Sequence, residues 1–263
     1  MPPSYIARYR IATIAAVAAI LLAACGSGGQ AVDSSGQPAA TSTTSTAAVV
    51  APVSTSPPTT SLSERTSADR VLAAIVGPTA ADIPTGWVQQ GHVSVGDGGT
   101  SPTGTPVSRF ITTCEHVPLS ALEQKSVESR ATFFKGQGDS LTGGVNIYES
   151  DSNARTAFDA DAGPTAPACT ALEVKQYLAS RHVNLSNQTG TFIPTTRVGD
   201  AAASIRVVAT SPSASVATDY YYVRRGRAVL WLVVSPPLSD GAAAQILGKM
   251  VDRLAAGGIT AAQ

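Results

Sequence analysis

Val216-Ala217-Thr218-Asp219-Tyr220-Tyr221-Tyr222-Val223-Arg224-Arg225-Gly226-Arg227-Ala228-Val229-Leu230-Trp231-Leu232-Val233-Val234 decides the fold. Two runs rich in β-branched and aromatic residues flank a glycine that accepts the positive φ of a tight turn. The stretch therefore predicts a hairpin, Val216 to Arg224 and Arg227 to Val234, closed at Arg225-Gly226. The second run is apolar at every position from Ala228 to Val234. Lacking the alternation of a half-wet strand, it reads as a central strand covered on both faces.

The neighbours supply part of that cover. Before the hairpin, Ala203, Ile205, Val207 and Ala209 alternate with Ser204, Arg206 and Val208, as a half-buried strand requires. After it, Ser239-Asp240 opens a helix whose Ala243, Ile246, Leu247, Met250, Val251 and Leu254 recur at helical spacing, ended by Gly257-Gly258. Ala131 to Lys135 and Val145 to Glu149 read as strands flanking a loop from Gly136 to Gly144. Ser150 or Ser152 caps a helix carrying Ala154, Ala157 and Phe158, and Pro167 to Ser180 forms a second helix with Cys169 and Leu172.

Nearer the N-terminus, Ser67 caps a short helix with Val71, Leu72 and Ile75 on one face, stopped by Gly77-Pro78. Ile83-Pro84-Thr85-Gly86-Trp87 is an entry turn that delivers Trp87 into a core; Trp231 reads as a core residue too. Val88 to Val95 and Val107 to Thr112 are short strands on either side of a loop from Gly96 to Gly104. Consecutive strands with short connections define an α+β fold: a mainly antiparallel, twisted sheet with helices packed on it, in a single domain over residues 66–257. Residues 258–263 read as a flexible tail.

The first 65 residues are of another kind. Arg8 and Arg10 precede an apolar run of 12 residues, Ile11 to Leu22, followed by Ala23-Ala24-Cys25. The run is well short of the ~20 residues that cross a bilayer, and the small residues before the cysteine mark a cleavage site. Residues 1–24 are thus a lipoprotein-type signal peptide, and Leu22-Ala23-Ala24-Cys25 is a lipobox that predicts acylation of Cys25. Two or more acyl chains, at ~0.8 kcal/mol per buried methylene, would hold the chain at the outer face of the cytoplasmic membrane. Gly26 to Ser63 carries one charge, Asp33, and no aromatic residue, so residues 25–65 read as the lipidated cysteine and a disordered linker. The linker spans ~30 to 40 Å as a flexible coil.

The chain has 263 residues, with 18 basic against 18 acidic; removing the signal leaves 16 against 18. Such a balance excludes the clustered cations of a nucleic-acid binder. Membrane contact comes from lipid on Cys25.

Chemistry-bearing motifs are few. Gly138-Asp139-Ser140-Leu141 spells the nucleophile motif of the GDSL hydrolases, but Lys135-Gly136-Gln137 breaks the strand that should precede it and no histidine follows His182. A serine without a base is not activated, so the motif reads as a hairpin turn and no catalytic residue is assigned. An esterase through Ser140 is the alternative enzyme reading. His92, His116 and His182 are scattered, without the four convergent ligands of a structural zinc site, and no metal or cofactor is expected. Cys114 and Cys169 are the two cysteines beyond Cys25, and in an exported, oxidising compartment they predict a disulfide.

Lipobox, low-complexity linker, Ala81-Asp82-Ile83-Pro84-Thr85-Gly86-Trp87, the Ala-rich helix leading to Cys169, Val198-Gly199-Asp200-Ala201, the Arg225-Gly226 hairpin and a final amphipathic helix stand in a familiar order. Over residues 77–256 the chain resembles actinobacterial, chiefly mycobacterial, lipoproteins with a PknH-like extracellular sensor domain; a PsbP-like sandwich is a second resemblance. The first implies a twisted antiparallel sheet with helices around a cleft, held by disulfides, in a ligand-sensing domain without enzyme activity. No binding residue carries over from the family.

The candidate site follows from cover. The last helix shields one face of the strand Ala228 to Val234, leaving the other to the small side chains near Phe158 and Cys169. Those side chains are expected to leave a cleft for an envelope lipid or other amphiphile, with Tyr220, Tyr222 and Arg224 at its rim. The Tyr- and Arg-rich hairpin, read as part of an ordinary antiparallel sheet, is first a solvated outer face and only then a recognition surface. A structural or protein-binding role in the envelope is the third class of function.

Overall fold

The computed structural model describes residues 62–98, 114, 126–136 and 138–261. The signal peptide, Cys25, the linker up to residue 61, the strand expected over Val107 to Thr112 and His116 lie outside the described residues, while residues 62–65, expected to end the linker, open the first helix. The elements are α1 (Leu62–Val76), β1 (Val88–Gly98), β2 (Ser126–Lys135), β3 (Asp139–Tyr148), α2 (Asp151–Ala162), α3 (Ala166–Ser180), β4 (Asn187–Phe192), β5 (Ala201–Thr210), β6 (Ser215–Arg225), β7 (Ala228–Ser235) and α4 (Asp240–Ala256). The strands form one open sheet in the order β1-β2-β3-β7-β6-β5-β4, with every neighbouring pair antiparallel. The α+β expectation holds.

β7 lies at the middle and is buried at all eight positions. Its neighbours are β3, with Leu141 opposite Val234, and β6, with Tyr222 opposite Trp231. On one face, Leu72, Ala73 and Val76 of α1 and Ile246, Leu247 and Met250 of α4 pack against Tyr221, Val223, Leu230 and Leu232. On the other, Phe158 of α2 and Val174 and Leu178 of α3 pack against Ile205, Tyr220, Tyr222 and Trp231. Burying each such side chain contributes about 1.5–3 kcal/mol. The expected cap of α2 is Ser150, whose Oγ accepts from the Asn153 N–H at 3.1 Å. The expected disulfide joins Cys114 to Cys169 of α3.

Four local readings are corrected. α1 begins at Leu62, so Ser67 lies inside it, and it buries Asp69, Leu72, Ala73 and Val76 while Val71 and Ile75 are 67% and 55% exposed. The buried face includes a carboxylate, Asp69, held by Arg227, and apolar periodicity alone rotates such a face wrongly. The β2–β3 connection is only residues 136–138, so Asp139-Ser140-Leu141 starts a strand and is no loop. Thr142-Gly143-Gly144 looks like a turn in sequence, yet it pairs in register with Val233, Leu232 and Trp231. The β6–β7 turn is Gly226-Arg227, one residue later than expected, with Gly226 at φ +49° and Arg225 paired to Ala228.

The polar strand β4 has no apolar run to announce it. Among the described residues it is an edge strand paired with β5 alone, and a Cβ on its Gly190 would come within 1.9 Å of the Pro167 carbonyl oxygen. At the other end, Ile259, in the stretch expected to be a flexible tail, is buried against the core.

Candidate functional site

Alternation along β6 puts Tyr220, Tyr222 and Arg224 on the side opposite Tyr221 and Val223, as expected. Their surroundings are not as expected. Tyr220, Tyr222 and Arg224 are only 3%, 8% and 8% exposed. The two tyrosines are packed into the core beneath α2 and α3 and form no solvated face, while Tyr222 also borders a cleft on the other side of the sheet.

The hairpin's arginines are clasps. Arg224 and Arg225 both approach Asp200, at 3.8 and 3.1 Å, and a carboxylate oxygen of Asp200 accepts the Gly226 N–H at 2.7 Å. Arg227 donates through both terminal nitrogens to Asp69 of α1, and to the Tyr148 carbonyl at 2.9 Å. These charge-assisted bonds tie the turn to the start of β5, to α1 and to the end of β3.

The open space lies on the opposite face. A small cleft of about 10 Å³, room for about one water, lies between the loop after β4, with Pro194 and Val198, and the side of α4 at Ala244 and Leu247. Ala203, Ser204, Tyr221, Tyr222 and Val223 line it from the sheet. Ser204 is 1% exposed, and its Oγ has no hydrogen-bond partner among the described residues. The Tyr221 hydroxyl donates to Asp219 Oδ2 at 3.1 Å. Asp219, fully buried, also accepts from Arg206 Nε and Nη2 at 2.7 and 2.8 Å in a two-pronged pair.

A second hollow is wider and polar, bordered by Asp151, Arg227 and residues 257–261. Its arginine is the one already bound to Asp69. On the side of α4 away from the cleft, Asp82 of the entry segment receives Arg253 Nη2 at 2.8 Å and lies 3.6 Å from Lys249 Nζ. Burial pushes the Asp82 carboxyl up, but bonds from Arg253 and from the Thr79 N–H and hydroxyl outweigh it, leaving the carboxyl below its ordinary range. The segment Ala81 to Trp87 is thereby fastened to the last helix.

Ser140 is 3% exposed within β3, between Phe134 and Ser235 of the adjoining strands. His92 and His182 are both exposed. Among the described residues no three His, Cys, Asp or Glu side chains converge as a metal site.

One titratable group was missed in sequence. Glu128 of β2 is 7% exposed, and burial pushes its carboxyl up to about 8 although Arg130 pulls it down. Burial, with the carboxylates of Asp161 and Glu128 nearby, raises the Tyr148 phenol above its ordinary range. A lone glutamate in a strand carries no sequence signal of such burial.

No family model matches the chain, and no curated protein does. Among solved structures, the extracellular domain of PknH from Mycobacterium tuberculosis is similar over 71% of this chain and 96% of that one, with 8% identity and a TM-score of 0.40. A likeness this faint leaves the site to be read from the chain's own residues.

Proposed function

We propose that this chain is an exported lipoprotein whose α+β domain is a non-catalytic binding module, held by lipid on Cys25 at the outer face of the cytoplasmic membrane. The observation that carries the binding role is the cleft beside α4, where apolar walls surround the buried hydroxyl of Ser204. Ligand sites are mostly apolar with a few placed polar groups. The Cys114–Cys169 disulfide supports export, because such bonds persist in oxidising compartments. The ligand in this reading is an envelope lipid or other amphiphile.

The test compares molecules retained by the intact lipidated protein with those retained by Ala244→Phe, which fills the cleft from α4. Mass spectrometry of extracts should find a bound species in the first that is missing from the second. Equal extracts, or none in either, would remove the binding role. Cys25→Ser should release the protein from membranes; if it does not, the anchor is misassigned. A fluorophosphonate probe should leave Ser140 unmodified, and labelling there would favour the hydrolase reading.

A further inference from the structure

Resting on the lipid anchor just proposed, we infer that α1 and the adjoining edge strand make a second membrane contact, in which an exposed apolar stripe lies against the bilayer that holds the acyl chains. Ala68, Val71, Ala74 and Ile75 stand at i, i+3, i+6 and i+7 of α1 and are all exposed, Val71 by 67% and Ile75 by 55%. The helix already turns its other face to the core, through Leu72, Ala73 and Val76. Val95 of β1, 38% exposed, is paired with Ser129, and a Cβ on Gly77 at the end of α1 would come within 3.1 Å of Ser129 Oγ. Cross-strand partners share a face, so Val95 carries the stripe from the helix onto the strand. Single apolar residues on a surface need no explanation, whereas a continuous stripe marks a contact.

The place where the anchor chain enters selects a bilayer as the occupant. Residues 26–61 lead from Cys25 to Leu62, the first residue of α1. With the composition of a linker, they keep α1 within ~30 to 40 Å of the acyl chains. Docking is then intramolecular, so a patch too small to hold a free protein on a membrane suffices. Charge points the same way. Among the described side chains of α1, Asp69 faces inward to Arg227, whereas Arg65 and Arg70 are exposed. At 100° per residue they fall on either side of Val71, where a helix lying in a headgroup layer carries its cations. Of the remaining large exposed apolar side chains, Val88 belongs to the same edge strand, while Leu172 and Phe192 lie on α3 and β4, at the far edge of the sheet. The docked domain therefore stands with β1 toward the membrane and β4 away from it.

The test uses the mature lipidated chain in vesicles of phosphatidylethanolamine and phosphatidylglycerol, with a polarity-sensitive fluorophore on one introduced thiol and a quencher on the lipid acyl chains. With Cys25 acylated and Cys114 joined to Cys169, the introduced thiol is the free one. On Val71→Cys or Ile75→Cys the fluorophore should brighten by roughly twofold or more on reconstitution and be quenched by the labelled lipid, as burial at the headgroup boundary requires. On Lys175→Cys, at an exposed position of α3, it should do neither. Val71→Ser with Ile75→Ser should abolish the quenching of a fluorophore on Ala68→Cys and leave the melting temperature unmoved; should the serines unsettle the fold, Val71→Ala with Ile75→Ala takes their place. Absence of quenching at both stripe positions, or equal quenching at Lys175→Cys, would overturn the inference. So would a stripe thiol open to a membrane-impermeant reagent on vesicles yet shielded in whole cells, because its cover would then be a protein. Flotation keeps the two readings apart. A chain that floats with the vesicles while its stripe stays unquenched keeps the lipid anchor and rejects the docking; one that does not float rejects the anchor and the docking with it.

Discussion

The two faces of the sheet are closed by opposite means. Over α2 and α3 the helices set the small groups Ala154, Ala166 and Ala171 between Phe158, Val174 and Leu178, and the sheet brings the largest side chains, Tyr220, Tyr222 and Trp231. Over α4 the helix brings the bulk, Ile246, Leu247 and Met250. Small helix side chains do not leave a hole here, because they let the helix come close enough for the aromatic rings to fill the space. The cleft appears where α4 stops covering β5 and β6 sideways and a loop, Pro194 to Val198, faces it. Cover, not side-chain size, decides where the void lies.

The comparison can be broken most strongly at Trp231. If the α2–α3 face is filled from the sheet, Trp231→Ala removes the largest fully buried side chain and should destabilise the domain by about 4–5 kcal/mol, read from urea denaturation. A loss below about 2 kcal/mol would mean that the helices can collapse into the gap. Next comes the disulfide, which anchors α3. Cys114 and Cys169 are 55 residues apart, and opening that loop should cost about 3–4 kcal/mol on the chain-entropy account. Reduction in the folded state that leaves the melting temperature unmoved would show that packing alone holds α3.

How much of this was legible follows from the same contrast. β7, α4 and the pairing of β6 with β7 were plain, because a continuous apolar run and a helical stripe each have one reading. A serine cap at Ser150 or Ser152, which the structure gives to Ser150, and the disulfide followed from local chemistry and compartment. Alternation says which residues share a face and not what covers it, so the burial of Tyr220, Tyr222 and Arg224 was not legible, although Tyr222 does border the cleft. β4 was invisible because an edge strand buries little, and Asn187-Gln188-Thr189-Gly190 is polar. Ser204 sat in plain view on the half-buried strand, on the supposedly wet side. Only the arrival of α4 and the loop makes it buried.

A buried charge offers a third way to sharpen the comparison, on the face that carries Tyr222 but farther along the sheet. Glu128 keeps its proton in the folded domain up to about pH 8, against 4.5 in the unfolded chain, because burial penalises the carboxylate. Between those values the native state holds a proton that the unfolded state has released. The stability this group contributes is therefore full below pH 4.5 and is lost as pH rises toward 8. Glu128→Gln should flatten that slope in a series of denaturation curves. A slope that survives the substitution would assign it to other groups.

The smallest effect is the most discriminating for the cleft. A buried hydroxyl without a partner carries a desolvation penalty of about 1–3 kcal/mol that alanine does not. Set against it is the loss of whatever water or ligand oxygen the hydroxyl binds. Ser204→Ala should therefore leave the empty domain unchanged or more stable by about 1 kcal/mol. The neighbouring hydroxyl gives the contrast, since Tyr221 is bonded to Asp219 and Tyr221→Phe should cost about 1–2 kcal/mol, leaving the buried carboxylate with one donor fewer. Measured side by side by urea denaturation, the two substitutions should move stability in opposite directions. If Ser204→Ala costs as much as Tyr221→Phe, the serine is already satisfied within the fold, and the bottom of the cleft is a structural joint with no vacancy for a ligand oxygen.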